Sequence, residues 1–173
     1  MVALFRPADR ERREWAFAAI ALVCVVAVAA ALLSQHVFDM QPCPWCVLQR
    51  VIYLAIALAC GIGLLWRSAT GRRVGAGLGV LLAIAGVAAA LWQHFQAAAS
   101  AACKQTLADK IVSGWLQLDS LWPDVLSARA SCADAAVSLL GDSYDLWSLA
   151  LVIGVGLALL MVLRRGGAGR AGR

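Results

Sequence analysis

Four apolar stretches, each close to the length of a bilayer-spanning helix, constrain this chain more than any other feature. They run from about Trp15 to Leu33, Val47 to Trp66, Val74 to Trp92 and Leu146 to Leu163. Crossing a bilayer takes about 20 mostly apolar residues when the segment is a helix. Lipid offers no partner to backbone N–H and C=O groups, so each segment must satisfy its own, as a helix does. The stretches are rich in Ala, Leu, Val and Gly, which suits closely packed helices. They lack the short alternating pattern of a membrane β-barrel. With 62% hydrophobic and 14% charged residues in 173, an ordinary soluble domain is excluded. The fold expected is an all-α membrane protein, a four-helix transmembrane bundle.

The basic residues set its orientation. Arg6, Arg10, Arg12 and Arg13 precede the first span, Arg67, Arg72 and Arg73 join the second to the third, and Arg164, Arg165, Arg170 and Arg173 follow the fourth. The loop Ser34–Pro42 has no Lys or Arg, and residues 93–145 have only Lys104, Lys110 and Arg129 against six Asp. By the positive-inside rule both termini, 1–14 and 164–173, are expected in the cytoplasm. The loops 34–46 and 93–145 then face outward, which in a bacterium is the oxidising periplasm. The net charge of +5 is thus an orientation signal. No basic patch interleaved with base-stacking residues points to nucleic acid. The first apolar run exceeds the roughly 7–15 residues of a signal-peptide core, so it is expected to stay as a span.

The topology gives each of the six cysteines an address. Cys24 and Cys60 fall inside the first and second spans and read as small packing residues. Cys43, Cys46, Cys103 and Cys132 fall on the outer side. Cys43-Pro44-Trp45-Cys46 opens the second span. Pro44 suits the first helical position, since it has no N–H to leave unpaired and its φ is already helical. Cys43 is then the N-cap and Cys46 lies in the first turn, where free N–H groups and the helix dipole favour a thiolate. Arg50, four residues after Cys46, lies on the same helix face. A cation in a span costs about 2.5–3.5 kcal/mol at its centre and less near the interface. No acidic residue lies within one turn of Arg50, so it is expected to face inward to a ligand or thiolate. The alternatives for the pair are a static structural disulfide or half of a zinc site.

Cys103 and Cys132 flank most of the long outer loop. A disulfide between them would be worth roughly 3–4 kcal/mol by chain entropy. Ala and Ser surround both thiols, leaving them accessible to a protein partner, and spacing alone does not choose between a structural and an exchangeable bridge. Between them Leu107, Ile111, Trp115, Leu118 and Trp122 recur at spacings of 4, 4, 3 and 4 and end at Pro123. That is one stripe of an amphipathic helix, lying either flat in the outer interface or against the bundle's own loops.

The string Pro42-Cys43-x-x-Cys46-x-x-Gln49-Arg50 opening a second span, followed by a long outer loop with two cysteines, resembles the DsbB family of disulfide-bond-forming membrane proteins. The run Leu139-Leu140-Gly141 through Trp147-Ser148 is similar to that family as well, and the resemblance covers essentially the whole chain. It implies a thiol:quinone oxidoreductase of the bacterial inner membrane. A reduced periplasmic DsbA-like thiol oxidase would attack a Cys103–Cys132 disulfide through Cys103. Cys132 would then pair with Cys43, releasing Cys46 as a thiolate facing a quinone, ubiquinone or menaquinone, with Arg50 beside both. Electrons would leave into the membrane quinone pool, with no metal required. At the outer end of the third span, Gln93 or His94 would serve the quinone, which would enter between the second, third and first spans. The loop departs from the family in having Lys104-Gln105 after its first cysteine where Gly-Pro is frequent.

Two other readings compete. In vitamin K reductase-like enzymes the loop pair precedes the membrane Cys-x-x-Cys, the reverse of the order here. A non-enzymatic protein with zinc held by the four outer cysteines would normally show two close pairs, whereas Cys103 and Cys132 are far apart.

Overall fold

The computed structural model describes residues 7–66, 68–97, 107–115, 117–130, 138–139 and 142–167. In chain order its helices are α1 (Pro7–Val37), α2 (Pro44–Leu65), α3 (Ala69–Trp92), the short α4 (Leu107–Asp109), α5 (Leu118–Leu121) and α6 (Pro123–Leu126), and α7 (Tyr144–Gly167). Four of them are long and apolar enough to cross a membrane, over Glu11–Val37, Pro44–Leu65, Ala69–Phe95 and Leu146–Arg165. These helices overrun most of the apolar windows. Residues such as Arg10, Arg12 and Arg13 are good helix formers, and nothing stops α1 before Val37. The first outer loop therefore shrinks to residues 38–43. It turns at Asp39, whose φ of 52° is one that Asp tolerates better than most residues.

The four long helices form a ring in chain order. α2 packs on α1 and α3, α7 packs on α3, and α1 and α7 meet least. Phe17, Cys24, Ile56, Cys60 and Leu159 are fully buried between them. Leu22, Leu58, Leu81 and Leu157, one on each long helix, are exposed. An apolar outer face on every helix is what lipid solvates and water does not.

Small residues close the α2–α3 seam. Gly75 faces α2 there, whereas Gly79 and Ala83 farther along α3 face Leu159 and Gly156 of α7. A Cβ on Gly75 would come within 2.7 Å of the Ala59 carbonyl oxygen and 2.9 Å of Gly63 Cα, so the two backbones are in contact there. On the other side of α2, the Phe17 ring covers Gly63.

Beyond α3, Gln93–Ala97 winds as a π-helical turn. The outer loop then crosses the N-terminal end of α2. α4 runs into a second π-helical turn, Lys110–Trp115, and Gln117 breaks the helix with a φ of 46° before α5. The continuous amphipathic helix expected from sequence is thus three pieces. Its large apolar residues are divided, with Ile111 half-buried against the core. Ala108 and Val112 are buried, whereas Leu107, Trp115 (84% exposed) and Trp122 point outward. The small face is the one that fits against α2, leaving the aromatic face free for an interface. Ser138–Leu139 and Asp142–Ser143 form a two-residue antiparallel ladder leading into α7.

Candidate functional site

Cys43 caps α2 as its residue type and Pro44 dictate. Its φ and ψ are −82° and 167°, Pro44 opens the helix, and Cys43 Sγ accepts the Cys46 N–H at 3.3 Å. The two sulfurs are 2.8 Å apart as free thiols. They differ sharply in setting: Cys43 is fully buried, and Cys46 is half-buried on a cavity wall. The hydrogen bond to the Cys46 sulfur, with burial adding to it, pushes the Cys43 thiol well above the ordinary range, so Cys43 holds its proton.

The cavity has a volume of about 200 Å³ and is lined by residues of α1, α2 and α7. Ala27, Ala30 and Ala31 of α1 and Leu151 of α7 give it apolar walls. Its polar edge is made by Cys46, Gln49, Arg50 and Tyr53 of α2, Gln93, and Ser148 of α7. The cavity lies between α1, α2 and α7, with Gln93 at the end of the third span on its wall.

Arg50 is 6% exposed and points inward. Its guanidinium donates to three neutral acceptors. Nη1 donates to Gln35 Oε1 at 2.7 Å and to the Val125 carbonyl at 3.0 Å, and Nη2 donates to the Ala31 carbonyl at 3.2 Å. Backbone carbonyls are a common way to hold a cation at membrane depth. Gln35 in turn donates to the Asp124 carbonyl at 3.2 Å. Arg50 and Gln35 thereby pin α6 over the cavity. Just beyond it, the Arg129 and Ala130 N–H groups both donate to the Pro42 carbonyl, at 3.0 and 3.2 Å. The outer loop is hence tied to the residue that precedes Cys43.

Gln93 and His94 part company. Gln93 Nε2 donates to Cys46 Sγ at 3.4 Å and its Oε1 accepts from Gln49 Nε2 at 2.8 Å. His94 packs edge-on against Phe95, with centroids 5.0 Å apart, and among the described residues it is not part of the cavity wall. Cys103 and Cys132 lie outside the described residues.

Gln35, Gln49, Tyr53 and Ser148 carry no assigned role from sequence. The usable signal was their depth: polar side chains inside or at the edge of an apolar span mark a site or a pathway. Gln49 is buried, accepts the Ser148 hydroxyl, and so joins α2 to α7. Tyr53 OH donates to the Ser148 carbonyl at 2.9 Å.

Known proteins resemble this chain over most of its length. A family model described as "Disulfide bond formation protein DsbB" matches residues 13–162. Disulfide bond formation protein B of Herminiimonas arsenicoxydans is 33% identical over 143 residues, covering 82% of this chain and 89% of its own. The protein of that name from Verminephrobacter eiseniae is 33% identical over 166 residues, covering 91% and 89%. That from Stutzerimonas stutzeri is 32% identical over 143 residues, covering 80% and 86%.

Proposed function

The chain belongs to the DsbB family of disulfide bond formation proteins, and from that premise we propose that it is a thiol:quinone oxidoreductase of the bacterial inner membrane. It reoxidises a periplasmic DsbA-like dithiol protein and passes the electrons to a membrane quinone, ubiquinone or menaquinone. Both termini are cytoplasmic and the active cysteines face the periplasm. The observation that carries the reading is Cys46 on the wall of an apolar cavity that also presents Arg50 and Gln93 as donors.

Those residues suit a quinone, which is flat and apolar with two carbonyl acceptors. The alanines and Leu151 accept the ring, and Arg50 or the side-chain amides donate to its oxygens. When bound, a quinone supplies a sink for two electrons and two protons. The cysteines do the rest by exchange. A thiolate of the partner attacks Cys103, breaking the Cys103–Cys132 bond and forming a mixed disulfide. Cys132 attacks Cys43, breaks Cys43–Cys46 and releases Cys46 as a thiolate. The partner's second thiol displaces Cys103 and leaves oxidised. Cys103 then takes Cys132 back from Cys43. The net result is one partner disulfide formed and one Cys43/Cys46 dithiol, whose two electrons and two protons leave with the acceptor. Cys43, holding its proton beside Cys46, is the built-in second proton and electron source. Arg50 stabilises negative charge at Cys46 and at the acceptor.

Oxygen-free turnover of the purified protein with a reduced DsbA-like protein and a soluble ubiquinone tests this. One quinone consumed per partner disulfide is expected. Stoichiometric zinc with thiol oxidation that leaves the quinone untouched would contradict it. Replacing Cys132 by Ala should trap a mixed disulfide through Cys103, visible on a non-reducing gel.

A further inference from the structure

A line of hydrogen bonds crosses the site from α7 to the reactive sulfur and has a direction. Tyr53 OH donates to the Ser148 carbonyl. Ser148 Oγ donates to Gln49 Oε1. Gln49 Nε2 donates to Gln93 Oε1 at 2.8 Å, and Gln93 Nε2 donates to Cys46 Sγ at 3.4 Å. A primary amide has a donor end and an acceptor end, so two amides in series transmit polarity. With the Ser148 hydroxyl donating, as it does here, Gln49 turns its oxygen to Ser148 and its nitrogen to Gln93. Gln93 must then turn its oxygen to Gln49 and its nitrogen to Cys46. Reversed, the same chain would present a carbonyl oxygen to the sulfur, which repels a thiolate and suits a thiol.

We propose that Ser148 is a positioning residue for the redox reaction: by donating to Gln49 it favours, through two side-chain amides, the arrangement in which Gln93 presents its N–H to the Cys46 sulfur. Ser148 and Gln49 are 99 positions apart in the chain and belong to the last and second long helices. The device also couples the α7 wall of the cavity to the nucleophile. A buried amide left without its donor loses the preference for one orientation, since a charge-assisted bond to the sulfur no longer has a fixed partner behind it. This deepens the proposed function and rests on its assignment of Cys46 as the thiolate delivered to the acceptor.

The test reads the sulfur itself. In a Cys43→Ala/Cys103→Ser/Cys132→Ser background, Cys46 is the accessible thiol, because Cys24 and Cys60 are fully buried. Its alkylation by iodoacetamide at a fixed neutral pH is followed by mass spectrometry. Ser148→Ala should slow it by roughly three- to tenfold, the size expected for a weakened bond to a charged group. Ser148→Thr, which keeps the hydroxyl, should restore the rate to within about twofold. Gln49→Met keeps the side-chain length, removes both polar ends, and should slow alkylation at least as much. The Ser148→Ala/Gln49→Met pair should be no slower than Gln49→Met alone, because the two act in one chain. Equal rates for Ser148→Ala and its parent, no rescue by Thr, or additive effects would each overturn the proposal. The assay contains neither quinone nor partner protein. If quinone reduction fails while Ser148→Ala still slows alkylation, the proposed acceptor falls and the positioning role stands.

Discussion

The α2–α3 seam and the α1–α7 seam are made of the same kinds of residue and do opposite things. At the first, Gly75 lies against the Ala59 carbonyl and Gly63, and the backbones touch. At the second, Ala27, Ala30 and Ala31 face Leu151 across a space of about 200 Å³. Small residues close a seam where they meet other small residues in register, as Gly75 meets Gly63. They open one where they meet a polar cluster that holds the helices apart. Gln49, Arg50 and Tyr53 point from α2 toward α1 and α7, and their hydrogen bonds to Ala31 and Ser148 fix the width of the gap. The tight seam brings two backbones into contact, and the open one leaves a cavity beside Cys46.

The largest expected effect separates the two thiols at the open seam. Iodoacetamide added to the reduced protein at pH 8 should label Cys46 more than roughly a hundredfold faster than Cys43. The thiolate is the reacting form, and a raised pKa keeps Cys43 protonated through neutral and mildly alkaline pH. Comparable labelling of both, resolved by peptide mass spectrometry, would break the contrast. Next is Arg50→Ala, which should lower kcat/KM for quinone by about a hundredfold, the scale of losing one preorganised charge donor. Its KM for the partner dithiol protein should change less, and an equal loss in both would mark a general folding defect.

A paired substitution sharpens the comparison of seams directly. Gly75→Leu should cost about 1–3 kcal/mol of stability by overpacking, seen as a lower Tm in detergent. Ala27→Phe should leave Tm within a few degrees and raise the KM for quinone about tenfold by filling the cavity. If the two variants exchange phenotypes, the assignment of closed and open seams is reversed. The smallest effect expected is that of Tyr53→Phe. It removes one hydroxyl donor to the Ser148 carbonyl and should cost about 1 kcal/mol.

Local pattern made much of this legible. Four apolar runs predict four helices, Pro44 after Cys43 predicts the cap, and an Arg without a nearby acid predicts an inward-facing cation. Each depends on neighbours within a turn or two, which is the range over which sequence speaks plainly. The rest depends on residues far apart in the chain. Arg50 reaches Val125 and Gln49 reaches Ser148, and no periodicity encodes such meetings. Which glycine meets which helix, Gly75 against Gly63 of α2 and Gly79 against Leu159 of α7, is a matter of register that no local pattern states. The loop stripe left two placements open for a related reason: spacing identifies a helical face but not whether that face meets an interface or the bundle. The break at Gln117, a residue without strong turn character, left no local signal.

The central claim is that Cys46, at the open seam, hands electrons to a lipid-soluble acceptor. Stopped-flow mixing of the fully reduced protein with a soluble ubiquinone, free of oxygen, tests it most directly when run beside Cys46→Ser. The wild-type protein should bleach the quinone absorbance in a single turnover and recover a Cys43–Cys46 disulfide. Cys46→Ser should show no bleaching on that timescale. Bleaching by Cys46→Ser at the wild-type rate would contradict the account.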